Sequence, residues 1–555
     1  MPLPPADPRR IRSCGAPMTR TPLARALGQA LGLARRAERA GVESADVLGQ
    51  QEAAVSRRAV LRASAGAAAG LALAACGQTA PPLASALGGQ GKPPADGSPV
   101  AIIGAGVAGL TVAYRLHQAG IPYRIYEASQ RAGGRMQTLR GGFTKPVELG
   151  GEFIDTGHKH IRRLAGELGL GLVDLAQTDT GVIAQWYDFG GRRYSEREAV
   201  DAFRPLVKRI DDDLASLGAE TVSYLNPDAG RRLDTISLHQ YFLDIGASGW
   251  LLELLDVAYT IEYGLDTREQ SPLNFLYLVG TRPGQFELFG LSDERYAVVG
   301  GNDRVPAALA SVVGGGIQYG TWLEAVSGRR DGRYTLTLNA GGRRTDVVAP
   351  RVVFALPFTT LRTVDLRGLA LPPVKRRAIA ELGYGTNAKL IAGFTRRVWR
   401  DTYGSSGEVF TDQFWQNTWE SSRGAPGAGG ALTNYLGGQP GLDIGAGTAQ
   451  TQTDRWLGEM ERVFPGLNAA RSAAAPVRAF WPGNPYVRAS YACYRPGQWI
   501  QISGAEAEAV GGLHFCGEHT SIDAQGYMEG GVESGERVVR ELLAAVAGRR
   551  VARLA

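Results

Sequence analysis

Three glycines and one acidic residue near the start of the folded part could together bind a dinucleotide. Gly104, Gly106 and Gly109 follow the apolar run Val100–Ile103, and Glu127 ends the next such run. In this spacing the first glycine allows a tight turn, the second lets backbone approach a pyrophosphate, and the third lets a helix pack closely on a strand. The amides of that helix would face the phosphates. The pattern therefore predicts a site for an adenine dinucleotide, with the Glu127 carboxylate on the ribose hydroxyls.

One lysine stands in a segment whose other residues are apolar or glycine. Lys389 is the second residue of the run 388–394, and a strand is expected at 390–394. Burying an ammonium group in such a strand is costly unless a partner compensates its charge. The position favours a buried lysine with a chemical role, although a lysine that extends its amine to solvent stays open.

The composition limits the classes of protein to which the chain can belong. Its 555 residues exceed one ordinary domain, so at least two packed units are expected. Residues 1–99 carry the whole net charge of +6, and the balanced remainder gives no indication of nucleic-acid binding. The absence of a Cys-x-x-Cys pair or a histidine cluster predicts no metal site. Cys493 and Cys516 follow the leader and are expected to be small buried residues.

The first 77 residues read as an export leader. Arg57 and Arg58 precede an apolar run at 63–75 that is too short to span a bilayer. This order resembles a twin-arginine signal, which predicts that the twin-arginine export machinery delivers the folded protein to the periplasm or another extracytoplasmic compartment. Residues 73–77 resemble a lipoprotein box. Two outcomes stay open: a lipid anchor at Cys76, or cleavage nearby and a soluble product.

Apolar patterns predict the elements that must position these residues. A helix is expected at about 109–118, directly after the glycine turn. Strands are expected at 334–338 and at 512–516. The glycine-rich stretch 422–448 is expected to be a surface loop. A final helix is expected at about 529–546.

Four further motifs lie along the chain in a fixed order. In the one-letter code they are EASQRAGGR at 127–135, VVGGN at 298–302 with VVFALP at 352–357, GYGTNAKL at 383–390, and CGEHT at 516–520 with GYMEGGVESG at 526–535. With these motifs the sequence resembles the flavin-dependent amine oxidase family over nearly all of residues 100–547. That family includes monoamine, polyamine and L-amino-acid oxidases, and the leader identifies this chain as a bacterial, twin-arginine-exported member.

The resemblance implies an α/β fold with two domains. A Rossmann-like FAD-binding domain of the GR2, amine-oxidase type is assembled from separated segments, with an inserted α+β substrate-binding domain. The expected divisions are a leader at 1–77, a linker at 78–99, the FAD-binding domain at 100–165, 293–385 and 503–555, and the substrate-binding domain at 166–292 and 386–502.

The cofactor implied by the resemblance is FAD. The residues expected to bind it are Gly104, Gly106, Gly109, Glu127, Gly133, Gly134, Arg135, Gly150, Gly151, Gly517, Glu518 and Met528. Members with covalently bound flavin carry a cysteine immediately before one active-site tyrosine, and Ser490 stands at that place here. Non-covalent FAD is therefore expected. The positive start of the last helix is expected to stabilise negative charge on the reduced flavin.

The same resemblance assigns catalytic roles to three residues. Lys389 matches the family's lysine that bridges through a water to flavin N5, and Tyr491 and Tyr527 match two walls of an aromatic cage. Two ring faces can hold an amine over the flavin and attract its cation. The implied reaction transfers a hydride from the amine-bearing carbon to flavin N5, and the imine hydrolyses to an aldehyde and ammonia. The implied acceptor is O2, which is reduced to H2O2, and another electron acceptor stays open.

Three residues are expected near the substrate: Glu152, Phe153 and Trp499. In venom-type L-amino-acid oxidases an arginine stands where this chain has Phe153, and a substrate carboxylate favours a bidentate arginine. This departure favours an amine substrate without a carboxylate. An L-amino-acid oxidase that forms a 2-oxo acid, with Arg488 or Arg495 as its clamp, stays open. So do a desaturase-like flavoprotein and a non-catalytic FAD-binding protein.

Overall fold

The computed structural model describes residues 97–179, 181–279, 292–521 and 523–554, together with Ala34 and Glu38. Ala34 is buried in a hydrophobic cluster with the helices of the central part of the chain, and Glu38 pairs with Arg204 at 3.3 Å. The predicted twin-arginine signal and the lipoprotein box at Cys76 lie outside the described residues. Within those residues, no helix is both long enough and apolar enough to cross a membrane.

The strands and α-helices of the described residues are numbered here in chain order. The strands are β1 (Val100–Ile103), β2 (Tyr123–Tyr126), β3 (Thr138–Leu139), β4 (Val147–Glu148), β5 (Leu172–Asp174), β6 (Trp186–Phe189), β7 (Arg192–Tyr194), β8 (Tyr296–Val298), β9 (Ile317–Gln318), β10 (Thr321–Gly328), β11 (Tyr334–Ala340), β12 (Arg343–Ala349), β13 (Val352–Phe354), β14 (Ala388–Phe394), β15 (Val409–Thr411), β16 (Asn417–Glu420), β17 (Gly430–Leu436), β18 (Val477–Phe480) and β19 (Leu513–Phe515). The helices are α1 (Val107–Gln118), α2 (Lys159–Glu167), α3 (Glu196–Phe203), α4 (Val207–Ser216), α5 (Arg231–Asp234), α6 (Leu238–Asp244), α7 (Gly249–Tyr263), α8 (Pro272–Val279), α9 (Arg304–Val313), α10 (Phe358–Leu361), α11 (Pro373–Glu381), α12 (Val398–Asp401), α13 (Gly438–Asp443), α14 (Ala449–Met460), α15 (Gln498–Ile502) and α16 (Met528–Leu554).

Five parallel strands form the sheet that carries the glycine turn. Their order is β19-β13-β1-β2-β9. The strands β1, β13 and β19 are buried along their whole length, as expected for a parallel sheet that is covered on both faces. The carboxyl ends of β1, β2 and β13 therefore meet at one edge, which is where the ligands of such sheets bind.

Helices α1 and α16 cover this sheet. A Cβ at Gly109 would lie 2.1 Å from the Gly104 carbonyl oxygen, so α1 packs directly against the turn that precedes it. Val532 and Val538 of α16 share a buried cluster with Leu110 of α1. The N-terminus of α1 consequently points at the carboxyl edge of the sheet, where it can face an anion.

A second, seven-stranded sheet has the order β18-β14-β17-β16-β15-β6-β7. Strand β14 is buried at every residue and pairs antiparallel with β17 and β18. Successive side chains of a strand point to opposite faces. Leu390 therefore packs with Leu432 in a hydrophobic cluster on one face, and Lys389 points to the other face.

The prediction of a surface loop at 422–448 is wrong in its middle part. Gly430–Leu436 forms β17, which lies between β14 and β16, and six of its seven residues are buried. The run Ala-Leu-Thr-Asn-Tyr-Leu can form a strand, but the glycines on both sides dominate the composition of the segment. A short helix, α13, follows the strand directly.

The strands of the two large sheets come from different segments of the chain. Every strand of the five-stranded sheet falls within 100–165, 293–385 or 503–555, and every strand of the seven-stranded sheet falls within 166–292 or 386–502. The chain therefore passes between the two sheets several times. A ligand bound between them would contact residues that are far apart in the sequence.

Candidate active site

A cavity of about 630 Å³ extends from the carboxyl edge of the five-stranded sheet to the face of the seven-stranded sheet that carries Lys389. Most residues expected to bind the cofactor line it. They are Gly104, Gly106, Glu127, Gly133, Gly134, Arg135, Gly150, Gly151, Gly517, Glu518 and Met528. The expected catalytic and substrate residues that line it are Lys389, Tyr491, Tyr527, Glu152 and Phe153.

The glycine turn and Glu127 form one end of the cavity. The Glu127 carboxylate accepts hydrogen bonds from the Ala105 amide at 2.7 Å and from the Ser129 amide and hydroxyl at 2.8 and 2.7 Å. These bonds fix the carboxylate at the end of β2. A Cβ at Gly106 would meet nothing within 4 Å, so the backbone there faces open space. This open helix N-terminus fits a pyrophosphate, and Glu127 fits the adjoining ribose of FAD.

The loop at Gly150 and Gly151 packs against backbone on one side and against the start of α16 on the other. A Cβ at Gly150 would lie 1.8 Å from the Arg135 carbonyl oxygen, and a Cβ at Gly151 would lie 2.8 Å from Met528 Cγ. Neither position can hold a side chain unless its neighbour moves. The N-terminal end of α16, with its partial positive charge, therefore stays at the cavity wall.

An ion pair links the remaining cofactor-side charges. Arg135 Nη1 lies 2.8 Å from Glu518 Oε1 and donates a second hydrogen bond to the Ser490 carbonyl oxygen at 2.6 Å. The Gly526 amide donates to the other Glu518 oxygen at 2.8 Å. The charges of Arg135 and Glu518 thus compensate each other, and this pair ties the loop before Tyr491 to the loop before α16.

Lys389 is the buried, partnered lysine that its apolar strand predicts. Only 5% of its side chain is exposed, and its Nζ lies 2.8 Å from Glu152 Oε2. The ammonium also donates to the carbonyl oxygens of Glu148 at 3.1 Å and Gly150 at 2.9 Å. The other Glu152 oxygen accepts a hydrogen bond from Trp419 Nε1 at 3.1 Å. Glu152, expected near the substrate, is therefore a partner of the lysine.

Aromatic side chains form the wall of the cavity around this pair. The Trp419 ring lies 5.1 Å from the Tyr435 ring and 5.9 Å from the Phe153 ring. The hydroxyls of Tyr435 and Tyr491 share a hydrogen bond of 2.9 Å, and Tyr491 also donates to the Glu262 carbonyl oxygen at 2.8 Å. These bonds hold Tyr491 with its ring at the cavity. Trp419 and Tyr435 carry no sequence signal of this role, because they come to lie beside Lys389 only once the strands have paired.

A buried histidine lies beside Tyr527, and the buried acids Asp155 and Glu294 adjoin it, with His158 Nε2 3.3 Å from Asp155 Oδ2. The imidazole of His158 packs edge-on against the Tyr527 ring at 4.9 Å. Asp155 Oδ1 accepts hydrogen bonds from the Ser292 hydroxyl at 2.9 Å and from the Glu294 amide at 2.7 Å. Burial raises the pKa of Asp155 to about 8, with the Glu294 carboxylate adding to the effect, and burial lowers the pKa of His158 to about 3.

Glu294 is a cavity residue that no sequence motif indicates. It is 3% exposed, lines the cavity and has a backbone φ of 43°. A positive φ is uncommon for a residue other than glycine and often marks a functional site. No sequence signal reports this backbone conformation, because glutamate carries no preference for it.

The structure places two of the expected site residues outside the cavity wall. Gly109 lets α1 pack closely on the turn, which is the role that its position in the glycine motif predicts. It does not line the cavity. The Trp499 prediction is not met, because its ring packs against Tyr494 at 4.5 Å and its Nε1 donates to Asn274 Oδ1 at 2.9 Å. The helix that carries Trp499, α15, turns the indole toward the helical core.

The candidate carboxylate clamps also lie elsewhere. Arg495 pairs with Glu269 at 2.6 Å, and neither Arg495 nor Arg488 lines the cavity. Among the described residues that line the cavity, none is a cysteine or a histidine. Cys493 and Cys516 are buried as thiols, outside the cavity wall. No described thiol is therefore placed to bond the flavin, which agrees with non-covalent FAD.

Comparisons with known proteins point to the same chemistry as the site. The family model "Flavin containing amine oxidoreductase" matches residues 107–543. Bovine amine oxidase [flavin-containing] B is 22% identical over 462 residues, which cover 80% of this chain and 86% of the bovine protein. A putative L-amino-acid oxidase, YobN, of Bacillus subtilis (strain 168) is 24% identical over 470 residues, or 80% of this chain and 94% of that protein.

Solved structures share the fold. Cyclohexylamine oxidase from Brevibacterium oxydans IH-35A superimposes with a TM-score of 0.71 at 23% identity, over 81% of this chain and 99% of that one. Wild-type putrescine oxidase bound to putrescine gives a TM-score of 0.68 at 22% identity, over 80% of this chain and 99% of that one. The two-domain α/β architecture is therefore that of known amine oxidases.

Proposed function

The chain belongs to the family of flavin-containing amine oxidoreductases, and on that basis we propose that it oxidises a primary or secondary amine that bears no carboxylate. As a member of this family it is an oxidoreductase that acts on amines and uses FAD. The proposal concerns the class of substrate and the roles of the residues at the aromatic end of the cavity.

The charge of the cavity supports this substrate class. The cations among its described lining residues are Arg131, Arg135 and Lys389. Arg131 donates to the Gly134 carbonyl oxygen at 2.5 Å, at the glycine-rich end, and the other two cations are held in ion pairs. A substrate carboxylate needs a bidentate cation that is available to it.

Asp155, whose raised pKa of about 8 keeps its carboxyl group protonated at neutral pH, and Glu294 add acceptor oxygens but no cation to the described lining of the cavity. A substrate carboxylate would therefore lose its hydration there without gaining an ion pair, whereas an ammonium group would meet carboxyl oxygens and aromatic faces. The distribution of charge is the single observation that carries the proposal. It favours an amine over an L-amino acid, even though an L-amino-acid oxidase is among the relatives.

The roles of the chain's own residues follow from their positions. Tyr491 and Tyr527 hold the amine between ring faces and attract its cation by cation–π interaction. Phe153 and Trp419 exclude water from the reacting carbon. Bound FAD supplies the acceptor for a hydride from the carbon that carries the amine. The imine product hydrolyses to a carbonyl compound, with release of ammonia from a primary amine or of a primary amine from a secondary one. O2 is reduced to H2O2 as the final acceptor, with Lys389 assisting that last step.

We also propose where the protein works. The paired arginines Arg57 and Arg58 with the apolar run at 63–75 support export of the folded protein by the twin-arginine machinery to the periplasm. A lipid anchor at Cys76 is proposed on the lipoprotein-like residues 73–77. Fractionation of cells that express the full chain tests both points, because an Arg57→Lys, Arg58→Lys variant should stay in the cytoplasm and Cys76→Ser should leave the membrane fraction.

An anaerobic titration of the FAD-loaded protein tests the substrate class. We expect aliphatic or aryl amines to bleach the flavin absorption band and L-amino acids to leave it unchanged. Matched pairs that differ only in the carboxylate, such as phenylethylamine and phenylalanine, isolate the charge effect. Bleaching by amino acids alone would contradict the proposal, and a flavin that no member of the panel reduces would point to a desaturase-like or binding role.

A further inference from the structure

Every donor of the Lys389 ammonium is already engaged by the protein. An ammonium group has three N–H donors. Lys389 directs them at the carbonyl oxygens of Glu148 and Gly150 and at the Glu152 carboxylate, at distances of 3.1, 2.9 and 2.8 Å. The resemblance to the family describes this lysine by its water-mediated contact with flavin N5, and it assigns no counter-ion. This chain supplies its own.

Both oxygens of the Glu152 carboxylate are also engaged within the protein. One oxygen faces Lys389 and the other accepts a hydrogen bond from Trp419 Nε1 at 3.1 Å. Only 10% of the Glu152 side chain is exposed. The lysine Nζ lies 5.4 Å from the Trp419 ring centroid and 6.0 Å from that of Tyr435, within the range of cation–π attraction.

The backbone leaves this pair little freedom. Glu152 follows directly on Gly150 and Gly151, whose close contacts with Arg135 and Met528 fix the loop. Trp481 Nε1 donates to the Leu149 carbonyl oxygen at 2.8 Å and holds the same loop from another side. On the opposite side, Lys389 belongs to β14, which is paired along both edges. A rigid loop and a rigid strand thus meet at one ion pair.

We propose that Glu152 is a positioning residue, whose carboxylate holds the Lys389 ammonium at the cavity wall and so sets the rate at which the reduced flavin is reoxidised. Glu152 acts through Lys389 and does not bind the substrate amine, since both of its oxygens are occupied within the protein. The inference rests on the proposed function, because it takes the step that Lys389 assists from that function.

A double-mutant cycle tests whether Glu152 acts through Lys389. It compares wild type, Glu152→Gln, Lys389→Met and the double variant. The flavin is reduced with dithionite, so that no amine is needed, and its reoxidation by O2 is followed by stopped-flow absorbance. We expect Glu152→Gln to slow reoxidation about 10-fold, and the double variant to be no slower than Lys389→Met alone, since interacting residues are non-additive. Additive effects, or a Glu152→Gln rate equal to wild type, would overturn the proposal.

Glu420→Gln is the matched control. Glu420 is also buried, also accepts a hydrogen bond from a tryptophan Nε1 and also pairs with cations, but it lies outside the cavity wall. We expect this variant to reoxidise at the wild-type rate. A loss equal to that of Glu152→Gln would mean that any buried charge change slows the enzyme, and the proposal would fail.

Two further readouts separate positioning from substrate binding and from folding. With an amine substrate, Glu152→Gln should lower kcat with KM unchanged, whereas a raised KM with unchanged kcat would show that Glu152 binds the amine. In the FAD-free protein, the thermal destabilisation of the double variant should be smaller than the sum of the single losses. Full additivity there would show that the two residues do not interact.

Trp419→Phe is the second variant, for use if Glu152→Gln does not fold. It removes the indole N–H that holds Glu152 and keeps both charges, and a lost hydrogen bond of this kind predicts about five-fold slower reoxidation. An unchanged rate would contradict the positioning role. If no amine reduces the wild-type flavin, the proposed function fails, while the dithionite experiment still decides the role of Glu152.

Discussion

Two clusters in this protein use the same chemistry on opposite faces of one sheet. In the cavity cluster, Glu152 accepts from Trp419 Nε1 and pairs with Lys389. In the core cluster, Glu420 accepts from Trp399 Nε1 at 2.9 Å and pairs with two arginines. In both clusters the central carboxylate is at least nine-tenths buried. The residue types of the two clusters are therefore alike, and they do not explain why only the cavity cluster lies in the site.

The alternation of a single strand separates the two clusters. Trp419 and Glu420 are neighbours in β16, so their side chains point to opposite faces of the sheet. Trp419 faces the cavity and Glu420 faces the hydrophobic cluster that contains Trp399. A shift of one residue in the register would exchange these environments.

The choice of cation differs between the clusters and matches their surroundings. Arg397 and Arg400 surround Glu420, and Arg400 also pairs with Asp179. Arginine offers several donors in a planar fork, which suits a structural network. The cavity cluster has a single lysine, a compact charge on a flexible stem, at the wall where a ligand binds. The difference indicates that burial of an ion pair alone does not identify a functional site, and that its contact with a cavity does.

Replacing one cation in each cluster should give the largest difference in flavin reoxidation rate between the two clusters. We expect Lys389→Met to slow flavin reoxidation about 100-fold, the size of effect seen when one preorganised charge contact is removed from an active site. FAD should stay bound, because Glu127 and the glycine turn are untouched. Stopped-flow reoxidation measures the effect, and Arg397→Met should retain the wild-type rate. Equal losses in both variants would remove the distinction between the clusters.

Removing the carboxylate of the core cluster should affect stability. We expect Glu420→Gln to lower the free energy of unfolding by about 2 kcal/mol, because charge-assisted hydrogen bonds to Arg397, Arg400 and Trp399 are weakened. Chemical denaturation measures the loss, and the rate of turnover at saturating amine serves as the control that should not change. A variant as stable as wild type would show that the ion pairs of the core cluster stabilise the fold no more than apolar packing would.

The cavity acids should make stability depend on pH. Burial raises the pKa of Asp155 from 3.8 to about 8, so between these values the folded protein holds a proton that the unfolded chain has lost. The contribution of Asp155 to the free energy of unfolding should therefore fall as pH rises through this window, by at most about 1.4 kcal/mol per pH unit. Asp155→Asn, which keeps an acceptor for Ser292 and Glu294, should lose this dependence.

Denaturation of Asp155→Asn and wild type at several pH values between about 4 and 8 measures this pH dependence of the free energy of unfolding. The difference in unfolding free energy should move in favour of the variant as pH rises. Exposed Asp346→Asn is the control and should track wild type at every pH. Parallel curves for Asp155→Asn and wild type would indicate that the carboxyl group of Asp155 ionises normally in its buried position.

The local sequence was sufficient to predict the nucleotide end of the cavity. The turn at Gly104, the start of α1 and the acid at the end of β2 depend on residues within one short stretch, and glycine spacing encodes the backbone directly. The strands β1 and β19 were recognisable as apolar runs. Strand β17 was not, because neighbouring glycines obscured a short run whose burial depends on pairing with β14 and β16.

The substrate end was only partly predictable. Lys389, Tyr491 and Tyr527 were found through the family resemblance, and all three line the cavity. Trp499 was placed wrongly, because an aromatic residue near a motif gives no sign of which side of its helix is buried. Glu294 was missed, since its position in the cavity depends on a backbone conformation that its residue type does not report.

The sequence by itself determined the dinucleotide turn, the family and the buried lysine, because each depends on neighbouring residues or on ordered motifs. Only the tertiary structure decided which charge Lys389 meets. Glu152 lies 237 residues earlier in the chain, and its contact exists because a glycine loop and a sheet strand converge on one cavity. Partners at such separation leave no local pattern, so their pairing, and with it the electrostatics of the site, is a property of the fold.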